Sequence, residues 1–292
     1  MKTISVIFIL FLNFYLLPQE NFLHSQKNLR IFADHLLHNR DYLRAVEEYR
    51  KLENYKINDS ILIRIAYSTV EMGHYEDADS AISLIPPMSP FYGLASFLNL
   101  RNSYARLDRT NDYFGERRKL PEINTDFPNA SPDLQLSFSR LHFFWKLKAS
   151  PHENLLRETG IFENEDRDTV SSFVNSALNP PLKSPLLAGI LSSVVPGLGK
   201  IYVERPEEAL IGFALTVASG YISYTSFKAD HPVRGWIFGG LSSLFYLGNV
   251  YGTISATEQY NIRIKVGITD LIDSFVRDKN FFSPGSLENL LK

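Results

Sequence analysis

The chain has 292 residues, a net charge of −2 and a pI near 6.4, and its length allows one large domain or two smaller ones. The balanced charge, without a basic stripe, excludes the phosphate contacts that nucleic-acid-binding proteins need, so no nucleic-acid partner is expected. Because the chain has no cysteine, disulfides, thiolate zinc sites and an N-terminal lipidated cysteine are excluded.

Residues 1–25 have the layout of an export signal. Lys2 precedes an uncharged apolar stretch, and Pro18 ends this stretch. A cleavage point before Gln26 has the large Leu23 three positions upstream, so an uncleaved signal anchor is the alternative. In both cases we expect the following segment to be exported or tethered at a membrane.

Residues 26–180 have a helical pattern in which one segment is repeated. The segment 41–45 recurs as 74–78, and this offset is close to the period of a two-helix repeat, about 33–34 residues. Small residues at the matching positions let paired helices approach, and Gly73 falls in a turn where a positive φ is often required. The repeat signature comprises Tyr42, Ala45, Ala66, Gly73, Tyr75 and Ala78.

These residues resemble the tetratricopeptide family over roughly residues 27–87. The large aromatic residue that usually opens each unit is missing, and Thr69 stands where tyrosine is common. Weaker units at 94–120 and 134–158 would extend the array, and a helical bundle with a chance repeat is the alternative. The resemblance implies a concave groove that binds a protein or peptide partner and carries no catalysis.

Three uncharged runs after residue 181 predict a membrane module at 184–257. The first run ends before Lys200, the second is Ala209–Phe227, and the third is Gly235–Thr257. Because a spanning helix needs about 20 mainly apolar residues, we predict spanning helices at 208–227 and 235–257. The connecting loop contains Lys228 and Arg234, which favours a cytoplasmic loop and an exported repeat domain.

Small residues recur every four positions in both predicted spanning helices, which favours close helix packing in a bilayer. Two buried helices of a soluble core are the alternative, but each glycine would there cost about 1 kcal/mol relative to alanine. Asn249 is expected to hydrogen-bond to Thr216 or Ser219. The helix-packing residues are Gly212, Thr216, Gly220, Gly235, Gly239, Gly248, Asn249 and Gly252, and a homo-oligomer through these glycine-rich helices is a further expectation.

Residues 186–202 predict a half-membrane hairpin, because Leu186–Val195 is too short to span a bilayer as a helix. A phosphate-binding loop is rejected, since Val194 replaces its first glycine and Ile201 replaces its serine or threonine. In the hairpin, a proline and a glycine break the helix and a second glycine lets the chain return. The membrane-turn motif comprises Pro196, Gly197, Gly199, Lys200 and Tyr202.

This stretch resembles a bacterial family of small envelope proteins with a Ser-Pro start, a Pro-Gly-x-Gly-(Gln or Lys)-x-Tyr turn and two short membrane helices. The second helix of that family ends in Gly-Asn-x-Tyr-Gly and a following Tyr-Asn, here residues 248–252 and 260–261. The match covers about residues 184–261, with Lys200 in place of the more usual glutamine. The resemblance implies an envelope location, often after tetratricopeptide-like repeats, and no catalytic residues.

The predicted fold is therefore all-α: a tetratricopeptide-like solenoid, a glycine-rich transmembrane hairpin and an amphipathic tail at 258–292 that lies on the membrane or docks on the repeats. We find no catalytic, cofactor-binding or metal-ligating constellation, since His35 and His38 lack a third ligand. The sequence predicts a non-enzymatic adaptor in the bacterial inner membrane with its repeats in the periplasm. A subunit of a small oligomeric channel or transporter and an envelope enzyme with an unrecognised site are the alternatives.

Overall fold

A computed structural model describes residues 25–53, 58–110, 130–285 and 287, and in these ranges every element is a helix. The all-α prediction is thus confirmed for the described residues, whereas the predicted export signal lies outside them apart from Ser25. The helices are α1 (Gln26–His38), α2 (Tyr42–Glu53), α3 (Asp59–Met72), α4 (Tyr75–Ser83), α5 (Tyr92–Thr110), α6 (Pro132–Ala149), α7 (Leu155–Glu158), α8 (Asn164–Leu178), α9 (Pro185–Val194), α10 (Leu198–Tyr202), α11 (Pro206–Lys228) and α12 (Pro232–Asp278), with a 3₁₀ turn at Thr159–Ile161.

The chain divides into two compact units. Of the described residues, unit 1 contains 25–150, 160–163 and the segment from Val276, and unit 2 contains 151–159 and 164–275. Helix α8, which the sequence prediction grouped with the repeats, therefore belongs to unit 2. The predicted start of the tail at Glu258 falls within α12, which continues as one helix of 47 residues.

Unit 1 begins with two successive helix pairs. Helices α1 and α3 start at positions 26 and 59, and α2 and α4 start at positions 42 and 75, so both pairs of corresponding helices have the offset of the repeated segment. Ser25 and Asn58 cap α1 and α3 by accepting hydrogen bonds from Asn28 N and Ser60 N. Gly73 ends α3 with a φ of 72°, the left-handed conformation that glycine adopts without strain.

Each of the first four helices of unit 1 has a fully buried alanine. Helix α1 packs on α2, α2 on α3, and α3 on α4. The fully buried alanines of this region are Ala33, Ala45, Ala66 and Ala78. Each of these four helices thus buries an alanine, which has no bulky side chain.

The rest of unit 1 packs through larger side chains. Helix α5 packs on α3 and α4, and α6 packs on α5. Phe97, Tyr104, Phe143 and Phe144 are buried within this part. Residues 111–120, predicted as half of a third repeat, lie outside the described residues, and the predicted partner of α6 at 152–158 includes only the short α7, in unit 2.

In unit 2, helices α11 and α12 run antiparallel. Ser223 Oγ donates a hydrogen bond to the Gly235 carbonyl (2.8 Å), and Ser242 Oγ donates to the Thr216 carbonyl (3.0 Å). As residue numbers rise along α11, the numbers of the partners in α12 fall, which is the pattern of antiparallel helices. The turn between the helices contains Asp230 with a φ of 60°.

Candidate functional site

The hairpin formed by α9 and α10 depends on two glycines. Gly197 has a φ of 93°, and a Cβ added there would lie 2.5 Å from the Ala209 carbonyl oxygen. Gly199 is buried, and its added Cβ would overlap the Ala188 carbonyl oxygen. The predicted membrane-turn motif thus forms a tight return of the chain, because no side chain fits at either glycine.

Hydroxyl groups join this hairpin to α12. The Oγ atoms of Ser192 and Thr253 lie 2.9 Å apart, and Gly199 N donates to Ser192 Oγ (3.2 Å). Tyr246 donates from its hydroxyl to the Ser193 carbonyl (2.8 Å). These contacts satisfy backbone groups where the helix is interrupted.

Five residues form a polar cluster next to the hairpin, which we call the rim cluster: Lys183, Tyr202, Glu204, Tyr260 and Asn261. Lys183 N donates to Asn261 Oδ1 and its carbonyl accepts from Asn261 Nδ2, both at 2.8 Å. Lys183 Nζ lies 2.7 Å from Glu204 Oε1 and 4.2 Å from the Tyr260 ring centroid. The Tyr202 hydroxyl accepts from the Ser184 backbone N at 3.2 Å. These bonds connect residues up to 78 positions apart in the sequence.

The rim cluster shifts two pKa values. The hydrogen bond and charge of Lys183 lower the pKa of Glu204. Burial acts to lower the pKa of Lys183, but the hydrogen bond and charge of Glu204 outweigh it, so the pKa of Lys183 is raised. Lys200 of the turn motif lies nearby in sequence but pairs with Glu208 at 3.4 Å.

Four of the predicted packing glycines contact the neighbouring helix in the α11–α12 pair. An added Cβ would approach Asn249 from Gly212 (2.5 Å), Ser242 from Gly220 (3.2 Å), Phe227 from Gly235 (2.8 Å) and Ser223 from Gly239 (3.1 Å). The structure corrects the prediction for Gly248 and Gly252, whose added Cβ would meet nothing within 4 Å. Residue 248 precedes Asn249 and so lies about 100° around the helix from the face that contacts α11.

The side chain of Asn249 is buried without a hydrogen bond among the described residues. Its side chain is 4% exposed, and neither Nδ2 nor Oδ1 has a partner among the described residues. The predicted bond to Thr216 or Ser219 is wrong: Thr216 Oγ1 donates to the Gly212 carbonyl (2.8 Å) and Ser219 Oγ to the Leu215 carbonyl (2.6 Å). Both hydroxyls bond to their own helix four residues back, as serine and threonine often do.

Between residues 185 and 257, unit 2 has small and polar side chains inside and large apolar ones outside. The buried apolar side chains here are no larger than valine: Ala188, Val203, Ala209 and Ala256. The buried polar side chains, which we call the polar interior, are Ser192, Thr216, Ser219, Ser223, Ser226, Asn249, Thr253 and Thr257. The exposed large side chains include a set that we call the apolar belt: Leu186, Leu187, Ile190, Val194, Leu210, Ile211, Phe213, Leu215, Val217, Trp236, Ile237, Leu241, Leu244 and Leu247.

Charged residues confine the apolar belt at both ends. The uncharged run Ala209–Phe227 has a helical length of about 29 Å, close to the hydrocarbon thickness of a bilayer. Among the described residues, α11 is the one helix long and apolar enough to cross a membrane. Helix α12 has the length but is less apolar, because glycine, serine and threonine are frequent in its sequence.

Unit 1 contains a cavity of ≈ 580 Å³ on the side of α1, α3 and α5. It is lined by Leu37, His38, Arg40, Tyr42, Tyr67, Glu71, Arg101, Asn280, Ser283 and Leu287. The rings of Tyr42 and Tyr67 meet edge to face at 6.0 Å, and Arg101 Nη1 lies 2.7 Å from Glu71 Oε1. Burial, with a smaller contribution from Glu71, raises the pKa of Tyr67. The repeat-signature residue Tyr42 is thus placed in a cavity wall.

The C-terminal segment 280–287, of which residue 286 is not described, supplies part of that wall. Phe281 stacks on Phe144 (5.9 Å), and Phe282 meets Tyr104 edge to face (5.5 Å). The Arg101 guanidinium lies 5.5 Å from the Phe282 ring centroid, and Gly285 N donates to Asp133 Oδ2 (3.0 Å). Sequence reasoning missed this aromatic pair, although two adjacent phenylalanines after an amphipathic helix were a signal for docking.

The described residues contain no cluster of three or more histidine, aspartate or glutamate side chains able to hold a metal ion. Comparisons with protein-family models, with curated proteins and with solved structures found no match for this chain. Two arrangements bear on function: the apolar belt around the polar interior of unit 2 and the cavity of unit 1.

Proposed function

We propose that this chain is a membrane-anchored helical-repeat adaptor of the bacterial cell envelope. Unit 2 lies in the lipid bilayer, and unit 1 is a tetratricopeptide-like solenoid that binds a protein or peptide partner without catalysis. The observation that carries the proposal is the apolar belt around the polar interior. Each large apolar side chain left in water forgoes about 1.5–3 kcal/mol of burial, so a belt of this size favours lipid as its surroundings.

The adaptor role is supported by unit 1. Its helix pairs recur at the offset of the repeated segment, as in two-helix repeats whose stacked pairs form a binding groove. The cavity has the size of a ligand pocket and combines apolar, aromatic and charged walls. We place unit 1 on the periplasmic side of the inner membrane, because the chain begins with an export-like segment and Lys228 and Arg234 flank the α11–α12 turn.

The two tryptophans provide a test of membrane embedding, because Trp145 is in unit 1 and Trp236 is in unit 2. Trp236 is 74% exposed and Trp145 9% exposed. We would reconstitute the full chain as Trp145→Phe and Trp236→Phe variants in bilayers with brominated lipid acyl chains. The proposal predicts strong quenching of Trp236 and little quenching of Trp145. Quenching of neither tryptophan, with both variants folded, would contradict a lipid location for unit 2.

Site-specific cross-linking tests the adaptor role. A photo-reactive amino acid replaces Arg40 at the cavity or, as a control, the exposed Met88 of the same unit, and cells are irradiated before membranes are solubilised. We expect a discrete cross-linked partner from position 40 and none of the same mass from position 88. Identical patterns from both positions would argue against a partner site at the cavity.

Two features favour a second candidate, a subunit of an oligomeric channel or transporter. Asn249 is an unpaired polar group within a predicted span, and the α9–α10 hairpin interrupts the helix at membrane depth. Solute flux in proteoliposomes that disappears in Asn249→Leu, with a multimeric species in mild detergent, would favour this candidate over the adaptor.

A further inference from the structure

The cavity of unit 1 is built from two parts of the chain. Helices α1, α2, α3 and α5 form one wall, and Asn280, Ser283 and Leu287 form another. The C-terminal segment is held there by its phenylalanines and by the bond from Gly285 to Asp133. A ligand in the cavity would therefore contact the repeats and the segment together.

The charges around the cavity are not balanced. Arg101 and Glu71 form an ion pair, so their charges offset each other. Arg40 also lines the cavity, has no ion-pair partner among the described residues and is held by an unusual backbone with a φ of 60°. His38 also lines the cavity. Among the described lining residues, Arg40 leaves one positive charge without a counter-charge, which favours a carboxylate as the complementary group.

The rest of the lining is suited to an apolar side chain next to that carboxylate. Leu37 and Leu287 are aliphatic, and Tyr42 and Tyr67 offer ring edges with hydroxyl groups. At ≈ 580 Å³ the cavity takes a few residues of an extended peptide but not a folded domain.

We propose that this cavity is a binding site for an acidic, partly apolar peptide segment of the partner, and that the C-terminal segment 280–287 completes it. The inference rests on the adaptor function proposed above and adds the chemistry of its partner. Because the segment contributes a wall, peptide binding and segment docking stabilise each other by the same factor. The segment is a component of the site and does not obstruct it.

The test uses the full chain in lipid nanodiscs and fluorescence anisotropy of two labelled eight-residue peptides, one alternating leucine with aspartate and one alternating leucine with asparagine. The acidic peptide is expected to bind about 10-fold more tightly than the neutral one. Arg40→Gln, a substitution at an exposed residue, should remove most of this difference in affinity. The neutral peptide also measures any binding to lipid.

The role of the segment is tested with Phe282→Ala, which removes the contacts to Tyr104 and Arg101. We expect about 10-fold weaker binding of the acidic peptide, since the segment wall is then mostly undocked. Phe32→Ala, at an exposed phenylalanine of α1 outside the cavity, is the matched control and should bind as the wild type does. If Phe282→Ala does not fold, Asp133→Asn weakens docking through the single bond to Gly285 and is expected to act in the same direction.

Saturation with the acidic peptide should also slow tryptic cleavage at Lys279, at the base of the segment, by the same factor that Phe282→Ala costs in affinity. Equal binding of the two peptides, no binding of either, or tighter binding to Phe282→Ala would each overturn the inference. The adaptor proposal has a separate outcome: a partner cross-linked from position 40 would keep it standing even if the acidic peptide did not bind.

Discussion

Units 1 and 2 are both made of helices, yet they place the same kinds of side chain on opposite sides. Unit 1 buries large residues such as Tyr49, Phe97 and Phe144, and none of its described charged residues is fully buried, as in a protein in water. In unit 2, residues 185–257 bury serine, threonine, glycine and alanine and expose leucine, isoleucine and phenylalanine. Both units are helical, so helix geometry does not explain this difference in which side chains are exposed. The difference reflects the surroundings, water or lipid, that suit each unit.

The largest expected loss of stability comes from a substitution in the aromatic core of unit 1. Phe144 is fully buried against Phe143, Phe162 and Phe281, so Phe144→Ala should lower the free energy of unfolding of unit 1 by about 3–5 kcal/mol. The measurement is denaturant unfolding followed by Trp145 fluorescence in a Trp236→Phe background. A loss below about 1 kcal/mol would mean that unit 1 lacks a conventional core.

A pair of exposed leucines gives the sharpest contrast between the units. Leu244 of unit 2 is 66% exposed and Leu84 of unit 1 is 58% exposed. Leu244→Arg should disfavour membrane insertion by about 2.5–3.5 kcal/mol, because it places a cation near the middle of the apolar belt. Leu84→Arg should change stability by less than about 0.5 kcal/mol, because its surroundings are water. Carbonate extraction of membranes and thermal unfolding measure the two effects, and equal tolerance at both sites would remove the distinction.

The hairpin of unit 2 should tolerate no side chain at its second glycine. Gly199→Ala puts a Cβ onto the Ala188 carbonyl and should cost about 1–3 kcal/mol. Gly248→Ala, which adds the same methyl group in open space, is the control and should be neutral or slightly stabilising. Tryptic cleavage after Lys200 in detergent should accelerate in the first variant alone. Equal cleavage rates would show that the hairpin is not closely packed.

The polar interior contains one side chain that is expected to destabilise unit 2 and one that is expected to stabilise it. Asn249→Leu removes an unpaired amide and should stabilise unit 2 by about 1 kcal/mol. Thr253→Val removes a hydroxyl bonded to Ser192 and should destabilise unit 2 by a similar amount. Thermal unfolding in detergent, followed by Trp236 fluorescence, compares the two. A destabilised Asn249→Leu would mean that the amide has a partner in the folded protein.

The smallest effect is the pH dependence of the rim cluster. Because Lys183 lowers the pKa of Glu204, the pair stabilises the folded state above the pKa of an unfolded glutamate, near 4.3, and this contribution is lost as pH falls through the lowered pKa. At the alkaline end it is lost as pH rises through the raised pKa of Lys183. The unfolding midpoint of the wild type should fall slightly more than that of Glu204→Gln between about pH 6 and about pH 3. An equal fall in both proteins would contradict the pairing of Glu204 with Lys183.

Local features of this fold could be predicted from the sequence. The offset between the repeated segments identified the positions of Ala33, Ala45, Ala66 and Ala78, which are fully buried, because a helix contact that excludes large side chains leaves a repeated small residue. Gly73 likewise has the positive φ that its place in a turn predicts. In the first case the signal lies in the repeated segment, and in the second it lies within one turn.

Long-range features could not be predicted in this way. Whether Gly248 or Gly252 faces α11 depends on the rotation of α12, which small-residue spacing does not determine. The hydroxyls of Thr216 and Ser219 could bond either to the other helix or to carbonyls four residues earlier in their own helix. In the structure they bond within their own helix. The pairing of Lys183 with Asn261 joins positions 78 residues apart, and only the folded chain reveals it.

That separation also has a consequence for the order of assembly. A chain inserted during synthesis presents the α9–α10 hairpin to the membrane well before Asn261 has been translated. At about 5–20 residues per second, the intervening residues take roughly 4–16 s to appear. During that time Lys183 lacks its amide partner and Ser192 lacks Thr253, so the hairpin can pack against α11 before α12 joins it. The hairpin is thus made well before the contacts that hold it to α12.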